Sequence, residues 1–247
     1  MSPAEAMDLL TLDAAITFAL SRAGRILHEN DPDRSPGPRL FLAGCPGGNL
    51  VRLRHDVDQA VAARIRVLVA DEPPWCDPDT LPGCLPELAD LLSRDGPVEV
   101  LGSAVIHALP HGQACAIPAQ IVRGDTEDGE RLLAGFARDG MPPALTAAGF
   151  VGVGDFWAPW CVALEGGEVA SMAFAARTGD RGGSIGVYTF PGFRGRGLAA
   201  AVTADWANLP SLAGRALFYS ALGANVSSLR VIERLGLPHV GASVRIV

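Results

Sequence analysis

The sequence predicts an α/β protein of the α+β kind: a mixed, mostly antiparallel central sheet flanked by helices, with an N-terminal extension of helix and hairpin. Three observations lead there. The C-terminal half reads strand-strand-strand-helix-strand-helix-strand, a hairpin followed by a βαβ unit. Its strand-like runs are short, apolar and bounded by Gly and Pro. Apolar residues make up 49% of 247, enough for a substantial core.

Taken in order, residues 5–28 have apolar spacing near 3.6 and predict a helix. The Pro-rich segment 28–39 is a loop, and 40–55 places two apolar runs around Gly-Cys-Pro-Gly-Gly-Asn, a hairpin. Residues 57–73 read as a helix with Asp56 or Asp58 as its cap, stopped by Pro73 and Pro74. The turn-rich stretch that follows holds Trp75, either a packed turn or part of an acceptor pocket. A short helix fills 86–94. Strand-like runs cover 98–110 and 114–123, with His107 and His111 as a solvated loop pair. An acid-led helix covers 125–140.

Residues 160–178 form two strands around Glu165-Gly-Gly-Glu168, whose carboxylates are expected in solvent. A third strand runs 183–190. A helix at 197–209 carries Leu198, Val202, Trp206 and Leu209 on one face. The strand 215–222, the helix 226–235 closed by Gly236, and the strand 239–247 complete the chain.

Net charge is −7 and the isoelectric point is near 5.2, which argues against nucleic-acid binding. No apolar run approaches the ~18 residues of a membrane span, and the acidic N-terminus does not read as a signal peptide. The five scattered cysteines and five histidines form no metal-ligand pattern, so no metal is expected. Reduced thiols fit a cytoplasmic protein.

The stretch Phe190-Pro-Gly-Phe-Arg194-Gly195-Arg196-Gly197-Leu198-Ala199-Ala200-Ala201 leaves a strand and enters a helix through glycines. Gly195 to Ala200 satisfies G-x-G-x-x-G/A, the dinucleotide fingerprint. That reading lacks its ribose-binding acid, since no Asp or Glu lies between Asp205 and Glu233. Only 47 residues follow Ala200, too few for further βα units. A P-loop is absent. Read from Arg194, the loop is Arg-x-x-Gly-x-Ala. Backbone N–H groups at a helix start bind anionic oxygens, Gly195 and Gly197 admit close approach, and Arg194 and Arg196 add positive charge.

In this frame the loop resembles the coenzyme loop of the GCN5-related N-acetyltransferases (GNAT). Tyr219-Ser-Ala-Leu-Gly-Ala-Asn225-Val-Ser-Ser228 and the Leu-Gly-Leu that ends the following helix are similar to that family's fifth strand and fourth helix. The hairpin at 161–177 resembles its second and third strands. The resemblance covers 155–247 well, 97–154 loosely, and 1–95 not at all. It implies a GNAT-like acetyl-CoA-binding domain at 96–247, with 1–95 either an extension or a degenerate copy. It implies acetyl-CoA as co-substrate and an N-acetyltransferase acting on a small-molecule or peptide amine, as monomer or homodimer.

By position the resemblance assigns coenzyme binding to Val187, Tyr188, Thr189, Arg194, Gly195, Arg196, Gly197, Leu198, Ala199, Asn225 and Ser228. Asn225 is equally a helix cap, and the two roles are compatible. The family's usual carboxylate base is replaced by Gly182-Gly183-Ser184, and its helix-four tyrosine by Ile232. Ser228 and Tyr188 are the remaining catalytic candidates. Ser228 could instead bond a helix carbonyl, and Tyr188 could face away from the cleft. A non-catalytic acyl-CoA sensor of the same fold stands as the alternative.

Overall fold

A computed structural model describes all 247 residues. Helix α1 (Pro3–Thr17) is followed by β1 (Phe18–Leu20), β2 (Ile26–Glu29), β3 (Leu40–Cys45) and β4 (Gly48–Leu53). Helices α2 (Gln59–Asp71) and α3 (Leu85–Ser93) lead to β5 (Ala104–Ala108) and β6 (Gln120–Arg123). Then come α4 (Glu127–Asp139), α5 (Pro143–Ala147), β7 (Trp160–Glu165), β8 (Glu168–Gly179) and β9 (Gly182–Thr189). The chain ends with α6 (Leu198–Ala207), β10 (Ala216–Leu222), α7 (Val226–Leu235) and β11 (His239–Ile246).

Nine strands form one sheet in the order β4-β3-β11-β5-β10-β9-β8-β7-β6. Only β9 and β10 pair in parallel, so the sheet is mixed and mostly antiparallel. The sheet crosses the 95/96 position, because the β3–β4 hairpin joins it through β11.

Alternation along the strands sorts the core into two faces. Leu217, Tyr219 and Ala221 of β10 point toward α6 and α7, while Leu40, Leu42 and Val244 face α2 and α3 on the same side. Phe41, Phe218 and Val240 pack under α1 on the other side, and Val162 and Met172 meet α4 and α5 there.

The predicted helix 5–28 ends at Thr17 instead. Phe18 and Ile26 are buried on either side of a turn, where Gly24 takes φ +71° and donates to the Ser21 carbonyl. Two buried strand residues and a left-handed glycine override the 3.6 spacing. The runs 98–110 and 114–123 shorten to β5 and β6: the Glu99 and Leu101 N–H groups bond only the Val247 and Arg245 carbonyls ahead of β5, and Pro110 and Pro118, which cannot donate to a ladder, follow β5 and precede β6. Of the two histidines expected as a solvated loop pair, His111 is exposed in a turn but His107 is not. His107 sits half-buried in β5 with its ring 5.1 Å from His239, and the His111 ring bridges the Ala207 and Arg215 carbonyls. Trp75 is a packed turn: its indole N–H donates to the Asp77 and Thr80 carbonyls. Helix α5 had no counterpart in the periodicity.

Candidate functional site

The parallel pair β9–β10 is short. Its rungs are Ala216↔Gly182, Leu217↔Gly183 and Phe218↔Ser184, and there pairing ends. Beyond them β9 stays paired to β8 as far as Thr189, and β10 stays paired to β5 as far as Leu222. The two strands therefore diverge, leaving facing edges without partners along Ile185–Thr189 and Tyr219–Leu222.

Backbone direction along β9 follows from one hydrogen bond. Phe190 N–H donates to the Ala170 carbonyl of β8. By alternation Tyr188 also turns its backbone toward β8, and Val187 and Thr189 present theirs to the opening. An extended ligand can pair with such an edge as a strand would.

The opening leads onto α6. Gly195 (φ +78°) and Gly197 (φ +80°) both sit in the left-handed region that favours glycine. Around Gly195 a Cβ would meet nothing, whereas at Gly197 it would overlap the Ile117 side chain and the Arg234 guanidinium. The other long helices are capped. Ser2, Asp58, Thr126 and Asn225 accept from the first turns of α1, α2, α4 and α7, and the Glu72 carboxylate accepts Gly83 and Cys84 N–H ahead of α3. Helix α6 has no side-chain cap, and although Ala200 N–H donates to the Gly197 carbonyl, the N–H groups of Gly197, Leu198 and Ala199 carry no acceptor.

Helix α6 is held firmly behind that end. Leu198, Val202 and Trp206 are buried against the sheet, each contributing about 1.5–3 kcal/mol. The Trp206 indole N–H donates to the Pro159 carbonyl at 2.8 Å. Arg123 of β6 forms a two-pronged pair with Asp205 at 2.9 and 2.6 Å.

Opening and loop share one cavity of about 570 Å³. Val187, Tyr188, Thr189, Arg194, Gly195, Gly197, Leu198, Ala199, Asn225 and Ser228 all line it, so the structure brings together ten of the eleven predicted positions. Arg196 is the departure. Its guanidinium pairs with Glu165, reaches the Gly192 carbonyl and lies over the Phe193 ring, outside the cavity. Glu165, expected in solvent, is the carboxylate that draws it away. Arg194 turns inward and donates to the Thr189 carbonyl at 3.2 Å.

The Asn225 side chain accepts from Ser228 N–H at 3.1 Å, the helix-cap role. The Ser228 hydroxyl bonds no helix carbonyl; it faces Tyr219. Tyr188 borders the cavity, but its backbone groups face β8 and its ring stands on the opposite face, edge-on to Phe190 at 5.0 Å and Phe150 at 6.3 Å.

Sequence reasoning missed Tyr219. It is buried, lines the cavity, and is the first β10 residue past the last rung. Burial pushes its phenol above the usual range, and the Ser228 contact offsets part of that rise. The phenol therefore keeps its proton at neutral pH. The signal was available: in Leu217-Phe-Tyr219-Ser-Ala221, alternation puts Tyr219 on the same face as two residues bound for the helix-covered core.

No protein-family model matches the chain, and no curated protein sequence is similar to it. Solved structures do resemble it. A GNAT-family acetyltransferase from Novosphingobium aromaticivorans aligns over 60% of this chain and 66% of its own, at 20% identity and TM-score 0.42. One from Colwellia psychrerythraea aligns over 66% and 72%, at 16% identity and TM-score 0.40. A GCN5-related N-acetyltransferase from Kribbella flavida aligns over 85% and 89%, at 16% identity and TM-score 0.43.

Proposed function

We propose that this protein is an acetyl-CoA-dependent N-acetyltransferase that acetylates an amine by direct attack. One observation carries the reading: the unpaired edges of β9 and β10 open onto the uncapped start of α6 within a single cavity. An extended amide-bearing arm fits the edges, and a pyrophosphate fits the helix start. Acetyl-CoA has both, and it supplies an activated thioester.

The residues then divide the work. N–H groups of Gly197, Leu198 and Ala199, with Arg194, bind the pyrophosphate. Backbone groups of Val187 and Thr189 pair with the pantetheine amides. Of the strand amides near Tyr188 and Thr189, that of Thr189 faces the opening and is suited to polarise the thioester carbonyl. Tyr219, kept protonated by burial and touched by Ser228, gives its proton to the departing thiolate. The C–N bond forms as the C–S bond breaks, the amine's proton leaves to water, and Tyr219 is reprotonated. No carboxylate lines the cavity, so orientation of a neutral amine supplies much of the rate.

A thiol-release assay against a panel of amines tests this. Turnover with at least one amine is expected, with Tyr219→Phe lowering kcat about 10²-fold or more while acetyl-CoA affinity holds. Coenzyme binding without thiol release from any amine would favour the sensor reading.

A further inference from the structure

A second cavity, of about 330 Å³, lies at the far end of α6. It sits where β7 and β10 begin, whereas the coenzyme opening sits where β9 and β10 end. Helix α6 starts on the first cavity with Leu198, and Leu209, two residues past its end, lines the second. Ten helical residues put about 15 Å between them.

The second cavity has a fixed apolar floor. Trp160 and Leu209 are buried there, 3% and 2% exposed. The chain at Gly124 is pressed onto the indole: its N–H donates to the Trp160 carbonyl at 2.9 Å, and a Cβ on it would overlap the ring. That contact holds the next residue, Asp125, beside the floor. Arg215 is held twice on the other side. Its carbonyl bonds the His111 ring at 2.8 Å, and its Nη1 donates to the Thr178 hydroxyl at 3.0 Å. The rest of its fork of donors stays free.

Asp125 and Arg215 both line this cavity, and neither takes part in an ion pair, even with the other. Arg123, two residues before Asp125, is already committed to Asp205. A lone anion would satisfy Arg215 and be repelled by Asp125; a lone cation would do the reverse. A molecule with a carboxylate at one end and an ammonium at the other satisfies both and lays its carbon chain on the floor. The volume is at the small end of ligand sites, about 300–1,000 Å³.

We propose that this cavity binds a small zwitterion of the amino-acid class. The carboxylate sits on Arg215, with the Thr178 and Ser211 hydroxyls at hand, and the ammonium sits on Asp125. The site is separate from the coenzyme cavity and stands whether or not the acetyl-CoA reading does.

Titration calorimetry with leucine, γ-aminobutyrate and ε-aminocaproate tests this, since the three differ in the spacing of their charges. At least one should bind the wild type. Its N-acetylated and its amidated forms, each lacking one charge, should bind about tenfold or more weaker, the weight of a charge-assisted hydrogen bond. Asp125→Asn should bind the zwitterion and its N-acetyl form alike, and Arg215→Gln the zwitterion and its amide alike. Circular dichroism checks that both variants are folded; Asp125 is exposed and unpaired, so its replacement leaves the fold intact. No binding of any of the three to the wild type, capped forms that bind as well as the parent, or discrimination that survives in either variant would overturn the proposal.

Discussion

One end of the nine-stranded sheet and its centre, where β9 meets β10, are built to opposite rules. At the β4-β3-β11 end every rung is made: β3 pairs with β4 from Leu40↔Leu53 to Cys45↔Gly48, and with β11 from Leu40↔Ile246 to Gly44↔Ala242. Helices α2 and α3 cover one face there and α1 the other. At β9–β10, pairing stops after Ser184↔Phe218, and the helix beside the gap starts without a cap. Unpaired edges and bare N–H groups cost stability when buried and dry, so a fold keeps them where a ligand completes them. The closed end carries the stability that the open centre forgoes.

The largest effect should come from breaking the closed end. Phe41, 2% exposed, packs edge-on against Phe18. Phe41→Ala should cost about 3–5 kcal/mol in denaturant unfolding, while the folded fraction binds acetyl-CoA as before. A matching loss of affinity would show that the two regions are not independent.

The converse change is made at Gly195, where a Cβ has free space but φ is +78°. Gly195→Ala should cost only about 1–2 kcal/mol of stability yet weaken acetyl-CoA binding about tenfold or more, because the loop can no longer hold its N–H groups in place. Calorimetry that finds wild-type affinity would separate the loop from the coenzyme.

A subtler test uses Asp13, fully buried in α1 with one carboxylate oxygen unpartnered. Burial raises its pKa from 3.8 to about 7, against the opposing pull of Arg245. The folded state therefore holds a proton that the unfolded chain releases first. Stability from this group is full below about pH 4, falls as pH rises toward 7, and then levels off. Asp13→Asn removes that slope, so its melting temperature relative to wild type should climb by several degrees between pH 4 and 7. Parallel profiles would show that Asp13 does not titrate in this range. Smallest of all, Arg64→Ala breaks an exposed pair with Glu87 between α2 and α3 and should change stability by less than about 1 kcal/mol.

What the sequence showed was local. The caps at Asp58 and Asn225, the left-handed Gly236 and the glycine loop depend on residues within a turn of one another, and each lies where its spacing placed it. What it hid was non-local. The strand β3 pairs with β11 some two hundred residues on, and nothing in residues 40–45 names that partner. The splay of β9 from β10 is a matter of register, set by how far β5 and β8 hold their neighbours. Tyr219 gains its place from that splay, which is why motif matching passed over it. The pairing of Arg196 with Glu165 joins a loop to a hairpin turn 31 residues away, so the loop's two arginines looked alike in sequence and differ in space.

The most direct test is hydrogen exchange with and without acetyl-CoA. Ligand should slow exchange at Val187, Thr189 and the 195–199 segment, and leave β3 and β4 unchanged. Protection confined to other segments, or none at saturating acetyl-CoA, would contradict the assignment of the β9–β10 opening as the coenzyme site.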